Sequence, residues 1–298
     1  MIRHLRHSEI DKAAWDQRIA ACATPWWYGR SWVLDAASPG WEALVDEASG
    51  AQLALTWRRR FGIKYLYQPF LLQRVGVFGG APSALLAALP NEVRYADIYL
   101  NDGERQGMPA DVRLTEQRNH ELSLDATLEE IRNGYAQNLR RNLRKAAPHD
   151  LVIDAGADVG EVLVFLRGSE QFKRWGIDPV RIACMERLLE GAMVQGEGRP
   201  YAVRVSGRTV AAAFFVEWGG RLLFLKGLAS AEGRAVQAMH RLLDRVIATH
   251  AGSALVLDLA GSNDEDLARF YAGFGARRTV YLRAQVNRLP PLVRLLKP

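Results

Sequence analysis

The stretch from Arg221 to Ala276 constrains this chain more than any other, because it reads as one complete strand–loop–helix–strand–helix unit. A β-type run, RLLFLKGLAS, leads into a short loop, AEGRA. The amphipathic run VQAMHRLLDRVIATH follows, then an apolar strand, ALVLDLAG, and a short helix ending in FYAGFGA. A glycine loop between strand and helix offers backbone N–H groups and the positive end of a helix dipole to an anion. The pattern predicts a phosphate or pyrophosphate site at the N–H groups of Gly233, Arg234 and Ala235. Gly233 is suited to close approach because it has no Cβ. The alternative is a plain strand-to-helix turn.

A chain of 298 residues can bury a large core and divide into two domains. With 49% hydrophobic and 24% charged residues, wholesale disorder is excluded. Cys22 and Cys184 make neither a metal-ligand spacing nor a disulfide framework, so no metal is expected. The early charges of MIRHLRHSEIDKAA do not read as a secretory segment, and the longest apolar run, VAAAFFV, is too short to span a bilayer. A soluble, cytoplasmic protein is the expectation. Net charge is +6, and its distribution is informative. RRTVYLRAQVNRLPPLVRLLKP carries six basic residues and no acid, and Arg132 to Lys145 carries five and no acid. Strict nucleic-acid recognition would require more charge or a docking motif.

Two halves of the chain repeat one order. EALVDEASGAQLALTWRRR reads as a hairpin around Ser49-Gly50, and YAVRVSGRTVAAAFFVEW as a hairpin around Ser206-Gly207. Each is followed by a further strand, a helical stretch and an apolar strand holding one acid, Asp97 or Asp258. The repeat predicts two copies of one α+β fold, with the longer helix and the glycine loop in the second copy. The expected division is an N-terminal domain over 1–126, a basic linker helix over 127–148 and a C-terminal domain over 149–298. In the linker, Thr127 is a candidate N-cap, and Ile131, Tyr135, Leu139 and Leu143 form one apolar stripe. Asn138, Arg141, Asn142 and Lys145 share a flank of that stripe, where a substrate cleft would be lined. Capping and solvation are the competing roles for these four. Trp27 and Tyr28, beside Trp26 and Trp32, are candidates to line a substrate groove or to pack in a core.

The order hairpin, strand, glycine loop, helix, strand, helix, strand resembles the GNAT N-acyltransferase fold. The loop Ser230-Ala231-Glu232-Gly233-Arg234-Ala235 is similar to the family's Q/R-x-x-G-x-G/A signature for the coenzyme A pyrophosphate, with Ser230 in place of Gln or Arg. Asn263, Ala268, Tyr271 and Gly275 resemble the pattern N…A-x-x-Y-x-x-(apolar)-G-F, with one extra residue after Asn263 and Ala276 in place of Phe. Two such halves joined by a basic helix resemble the Fem-type aminoacyltransferases and their FemAB-like bacterial relatives. WWYGRSWVLDAASPGWEALV, YLYQPFLLQRVGVFGG, NLRRNLRKA and LDLAGSNDEDLARFYAGFGA carry that likeness. A helical arm of the kind Fem proteins often use for tRNA is not evident.

The resemblance implies two GNAT-like domains, each a mixed, mostly antiparallel sheet flanked by helices. It implies transfer of an acetyl or other acyl group from acyl-CoA to an amine bound between the domains, with Ser230, Gly233, Arg234, Ala235 and Asn263 holding the cofactor. Tyr271 falls where many GNAT enzymes keep a general acid; otherwise it is a core tyrosine beside Phe270 and Phe274. Acyl transfer also requires oxyanion stabilisation and a base. Lys226 is a candidate for the charge and Glu217 for the base, with Asp258 in the next strand; His240 reads as structural. The alternatives are a Fem-like enzyme drawing on aminoacyl-tRNA, and a non-catalytic module that holds RNA or an anionic precursor. The tail LPPLVRLLKP, apolar and basic, suits packing against the domain or contact with a membrane surface.

Overall fold

A computed structural model describes residues 1–60, 62–101, 105–261 and 263–290. The tail from residue 291 lies outside the described residues, and with it most of LPPLVRLLKP, for which packing against the domain and contact with a membrane surface are the alternatives. The chain divides into two compact units. One is built from residues 1–117 with the return from residue 280, the other from Arg118–Thr279.

In the first unit, strands β1 (Ile2–Leu5), β2 (Glu42–Asp46) and β3 (Gln52–Leu55) form an antiparallel sheet, with helices α1 (Lys12–Ala20) and α2 (Ser31–Ala37) between β1 and β2. The chain leaves this sheet at Thr56, whose hydroxyl donates to Tyr67 O (2.5 Å). The run QLALTWRRR is therefore two strands in two sheets, not the single strand expected from its pattern. Next come β4 (Trp57–Arg60), β5 (Ile63–Tyr67), helix α3 (Pro82–Ala87) and β6 (Tyr95–Leu100). Strands β4 and β5 pair antiparallel, and β5 pairs parallel with β6 along Tyr65–Tyr67. Strand β7 (Val112–Ser123) carries the chain into the second unit.

The second unit continues with α4 (Leu128–Asn133), α5 (Gln137–Ala146), β8 (Leu151–Ala155), α6 (Val159–Gly168), α7 (Glu170–Arg174) and α8 (Pro179–Val194). Strands β9 (Gly198–Val205), β10 (Arg208–Trp218) and β11 (Arg221–Ala229) follow. The unit then runs through α9 (Ala231–Ala235), α10 (Ala238–His250), β12 (Val256–Asp258) and α11 (Glu265–Ala272), and ends in the first residues of β13 (Arg277–Asn287). Its strand order is β7-β12-β11-β10-β9-β8, antiparallel throughout except for the parallel β11–β12 step. The rest of β13 returns to the first unit and pairs with β6 from Leu282 to Asn287. Each unit thus holds one parallel step that ends on an acid, Asp97 or Asp258; the repeated order anticipates the acid-bearing strand, and the structure adds its parallel pairing.

The expected boundaries at 126/127 and 148/149 do not coincide with these units. The basic segment belongs to the second unit, and it is two helices. Thr127 caps α4 as expected, in a box with Glu130: the Glu130 N–H donates to the Thr127 hydroxyl and the Thr127 N–H to the Glu130 carboxylate. The break follows from Gly134 and from Ala136, whose N–H leaves the helical ladder to donate to Gly273 O (2.9 Å). Gly275 must be glycine there, with φ of +78° and a Cβ position 3.1 Å from Gly134 O. Ile131, Tyr135 and Leu139 are still buried together in the core of this unit, with Leu143 packed on it, so the apolar stripe survives the break.

Candidate active site

The centre of the second unit is a fork between β11 and β12. Residues Arg221–Leu223 pair with Val256–Asp258; no strand pairs with the following residues of β11 on that side among the described residues. Two local causes open the fork. Opposite β10, Phe224 faces Phe215 while Lys226 faces Phe214, so Leu225 is an extra residue, and such a bulge bends and twists its strand. On the other prong, β12 ends at Asp258 and the chain turns away through Ala260 and Gly261, both at φ 55°. Gly261 runs so close to β7 that a Cβ would sit 2.1 Å from Arg118 O.

Side chains converge on this fork from both faces of the sheet. On one face Phe224 meets Tyr271 edge-on (6.4 Å between centroids), and Tyr271 meets His120 (5.9 Å). Tyr271 is 5% exposed, and burial, with the charge of Asp258, pushes its phenol well above its usual value, so it holds its proton at neutral pH. His120 is 4% exposed, and burial beside Arg278 and Arg118 holds it below the usual histidine value. Its Nδ1 is buried and has no hydrogen-bond partner among the described residues. No motif marks His120, but the strand pattern does carry a signal: His120, Leu122 and Leu124 alternate along β7 and its end, and so share one face.

Lys226, being paired with Phe214 rather than Phe215, lies on the other face. Its ammonium sits 5.3 Å from the Phe172 ring centre and 4.6 Å from that of Trp175, without a carboxylate inside 4 Å among the described residues. Burial lowers its pKa to about 8. Arg221, also on that face, ties Glu121 (2.6 Å) to the fully buried Asp258 (3.0 Å), which also accepts from the Ala260 N–H (2.8 Å). Asp258 is thus a structural acid that fixes the end of β12. A cavity of about 460 Å³ opens beside this network, with Glu121, Asp125, Glu130, Gly134 and Arg277 in its wall.

Several residues singled out by their sequence pattern take other places once side chains are positioned. Glu217 lies seven residues along β10 from Val210, the residue bonded to Ser230, hence roughly 23 Å from the loop. It is ion-paired to Arg199 (3.1 Å), which removes it as a base at the fork. Gly233 is required for a different reason from the one anticipated. A Cβ there would lie 2.2 Å from Val210 O, so the residue lets α9 seat on β10. Its N–H donates to Ser230 Oγ (3.0 Å) and the Arg234 N–H to Ser230 O (2.9 Å), so neither is a free donor to a pyrophosphate. Ser230 is an N-cap, Arg234 reaches back to Ala229 O (2.8 Å), and Ala235 is exposed. AEGRA is accordingly a helical turn rather than an open loop, separated from α10 by Gln237 at φ 58°. Asn263 accepts from the Arg118 N–H (3.1 Å) and anchors β7.

The candidate substrate residues also separate. Trp27 and Tyr28 are buried in the first unit, which makes them core rather than groove. Asn142 contacts His240 (3.2 Å) and joins α5 to α10, while Asn138 accepts from Arg141 (2.7 Å) on an exposed face that also carries Lys145. His240 is structural, as its place in the amphipathic run suggests, and burial lowers its pKa to about 4.

Comparison with known proteins places this architecture. Residues 132–266 match the family model described as an acetyltransferase (GNAT) domain. FemX superposes with a TM-score of 0.66 at 12% identity, over 99% of this chain and 100% of that one. A tandem GNAT protein from the clavulanic acid biosynthesis pathway gives 0.58 at 12%, over 97% and 99%. The C-terminal domain of a putative lysylphosphatidylglycerol synthetase from Agrobacterium fabrum gives 0.59 at 13%, over 96% and 95%. The chain therefore has a fold similar to that of tandem GNAT proteins and of FemX, and residues 132–266 of its second unit match an acetyltransferase (GNAT) domain.

Proposed function

We propose that this protein is an N-acyltransferase that moves an acyl group from an acyl-CoA to an amine at the β11–β12 fork. The observation that carries this reading is the open edge of β11 beside Tyr271. Unpaired strand backbone can bind an extended amide-containing chain such as pantetheine in the manner of an added strand. The fit at the diphosphate end is partial. Gly233 and Arg234 use their N–H groups internally, which leaves the amides of Ala231 and Glu232 and the exposed Arg234 side chain as the groups to hold phosphate.

In this reading Tyr271, which burial keeps protonated at neutral pH, supplies a proton to the leaving atom. Lys226, a cation held on two aromatic rings, faces an anionic group of a substrate or the charge that develops in the transition state. Acetyl-CoA in excess should raise the melting temperature by mass action, and 100-fold excess over Kd corresponds to about 2.7 kcal/mol. Tyr271→Phe should keep that shift and lose turnover. No shift with any acyl-CoA would sink the proposal.

A second reading, transfer from aminoacyl-tRNA, is favoured by one feature. Helix α5 exposes Arg140, Arg141, Arg144 and Lys145 and contains no acid. Binding of aminoacyl-tRNA that weakens steeply with salt, in a protein indifferent to acyl-CoA, would select it. RNA binding with no transfer to any amine would instead select a non-catalytic module.

A further inference from the structure

The geometry points to His120 as the base that takes protons from the attacking amine, acting as a pair with Tyr271 at the end of β12. This inference rests on the acyltransferase reading of the same fork. Strand β12 ends at Asp258, and the next N–H, of Leu259, donates to His120 O (3.0 Å), so His120 lies at the point where the second prong turns away. Its ring is packed against the Tyr271 ring, and its Nδ1 is the buried polar atom at this face without a protein partner among the described residues. A neutral imidazole nitrogen in that state costs free energy unless something completes its hydrogen bonding. An amine entering the fork does so.

The charged and titratable groups around the pair act in one direction. Arg118 from β7 and Arg278 from β13 add to burial in keeping His120 neutral, while Asp258 from β12 adds to burial in keeping Tyr271 protonated. Two adjacent groups thus stand ready as base and acid at the same pH, the arrangement acid–base catalysis requires. Glu217, the candidate base named with Asp258 from the sequence, is paired with Arg199 away from the fork.

The protons balance. The acceptor enters as an ammonium with three. His120 takes the first and releases it to solvent. The free amine attacks the acyl carbon, the C–N bond forms, and the C–S bond breaks with its electron pair going to sulfur. Tyr271 protonates that sulfur, and His120 accepts the second proton from the new C–N nitrogen and returns it to the tyrosinate. The third stays on the amide.

The test combines turnover with a measurement on the free protein. With acetyl-CoA and a panel of primary amines, release of CoA thiol is followed across pH for wild type, His120→Gln and His120→Ala. Removing a general base should lower kcat/KM by about 100-fold. It should also abolish the acidic limb of the wild-type profile, which falls below the usual histidine value, and imidazole should partly restore His120→Ala. In parallel, NMR titration of the ring of His120 should find it neutral at pH 7 in wild type and in Tyr271→Phe. A His120→Gln enzyme within about threefold of wild type, with the acidic limb intact, would overturn the assignment, since a base acting in the transition state cannot be removed so cheaply. A cationic His120 at pH 7 would overturn it whatever the rates. Wild type that releases no CoA from any acyl-CoA would refute the acyltransferase reading itself and this role with it.

Discussion

His240 and His120 carry opposite lessons at the scale of single residues, although burial depresses both. His240 Nε2 faces the Asn142 amide (3.2 Å), and if the amide nitrogen donates, the ring must be neutral with its proton on Nδ1. The unfolded chain binds a proton there at the usual value near 6.5, the folded chain only near 4. Between those values the unfolded state holds more protons, so stability falls as pH is lowered from 6.5 to 4, by at most about 1.4 kcal/mol per pH unit. His240→Gln, which keeps an acceptor for Asn142, should flatten that slope in urea titrations from about pH 4 to 7. An unchanged slope would assign it to other groups. Lys226 offers a second check: burial lowers its pKa to about 8, which should appear in amine-modification rates, and Trp175→Ala, by admitting water to the ammonium, should raise it.

At the scale of elements, two contacts decide how the second unit holds its helices. Helix α9 is seated on β10 through Gly233, and any side chain there must displace it from Val210 O. Gly233→Ala is expected to lower stability by about 1–3 kcal/mol, with or without acetyl-CoA present. Thermal melts showing no loss would mean that α9 can lift freely. The second contact is the buried Asp244 on α10, which accepts from Arg132 Nε and Nη2 (3.0 and 2.9 Å) and from the Tyr135 hydroxyl (3.2 Å). It fastens the turn between α4 and α5 to α10. Asp244→Ala strands a buried hydroxyl and should cost about 2 kcal/mol, a Tm decrease of roughly 4–8 °C in a unit of this size. A smaller drop would mean that water replaces the carboxylate. The apolar stripe Ile131, Tyr135, Leu139 was legible in the sequence because burial follows periodicity. The break at Gly134 was not, because its cause is a hydrogen bond to Gly273, more than a hundred residues away.

At the scale of the whole molecule, the chain is duplicated but not divided in the middle. Residues from Leu282 to Asn287 complete the first unit by pairing with β6, and Leu282, Ala284 and Val286 are buried there. Coexpressed fragments 1–148 and 149–298 should therefore leave the β6 amides less protected from exchange than in the intact chain; equal protection would show that β6 does not depend on that strand being tethered. What the sequence by itself determined was the repeated apolar strand with its acid, the position of Tyr271 on its helix and the capping of α4. All of these depend on local propensity, periodicity and motif spacing. Tertiary structure alone decided where the charges and N–H groups point. It put Lys226 and Tyr271 on opposite faces through a one-residue bulge, spent the Gly233 amide on Ser230 Oγ, engaged Glu217 with Arg199, and set His120 against Tyr271. Those outcomes depend on register and on partners distant in sequence, and no local pattern encodes either.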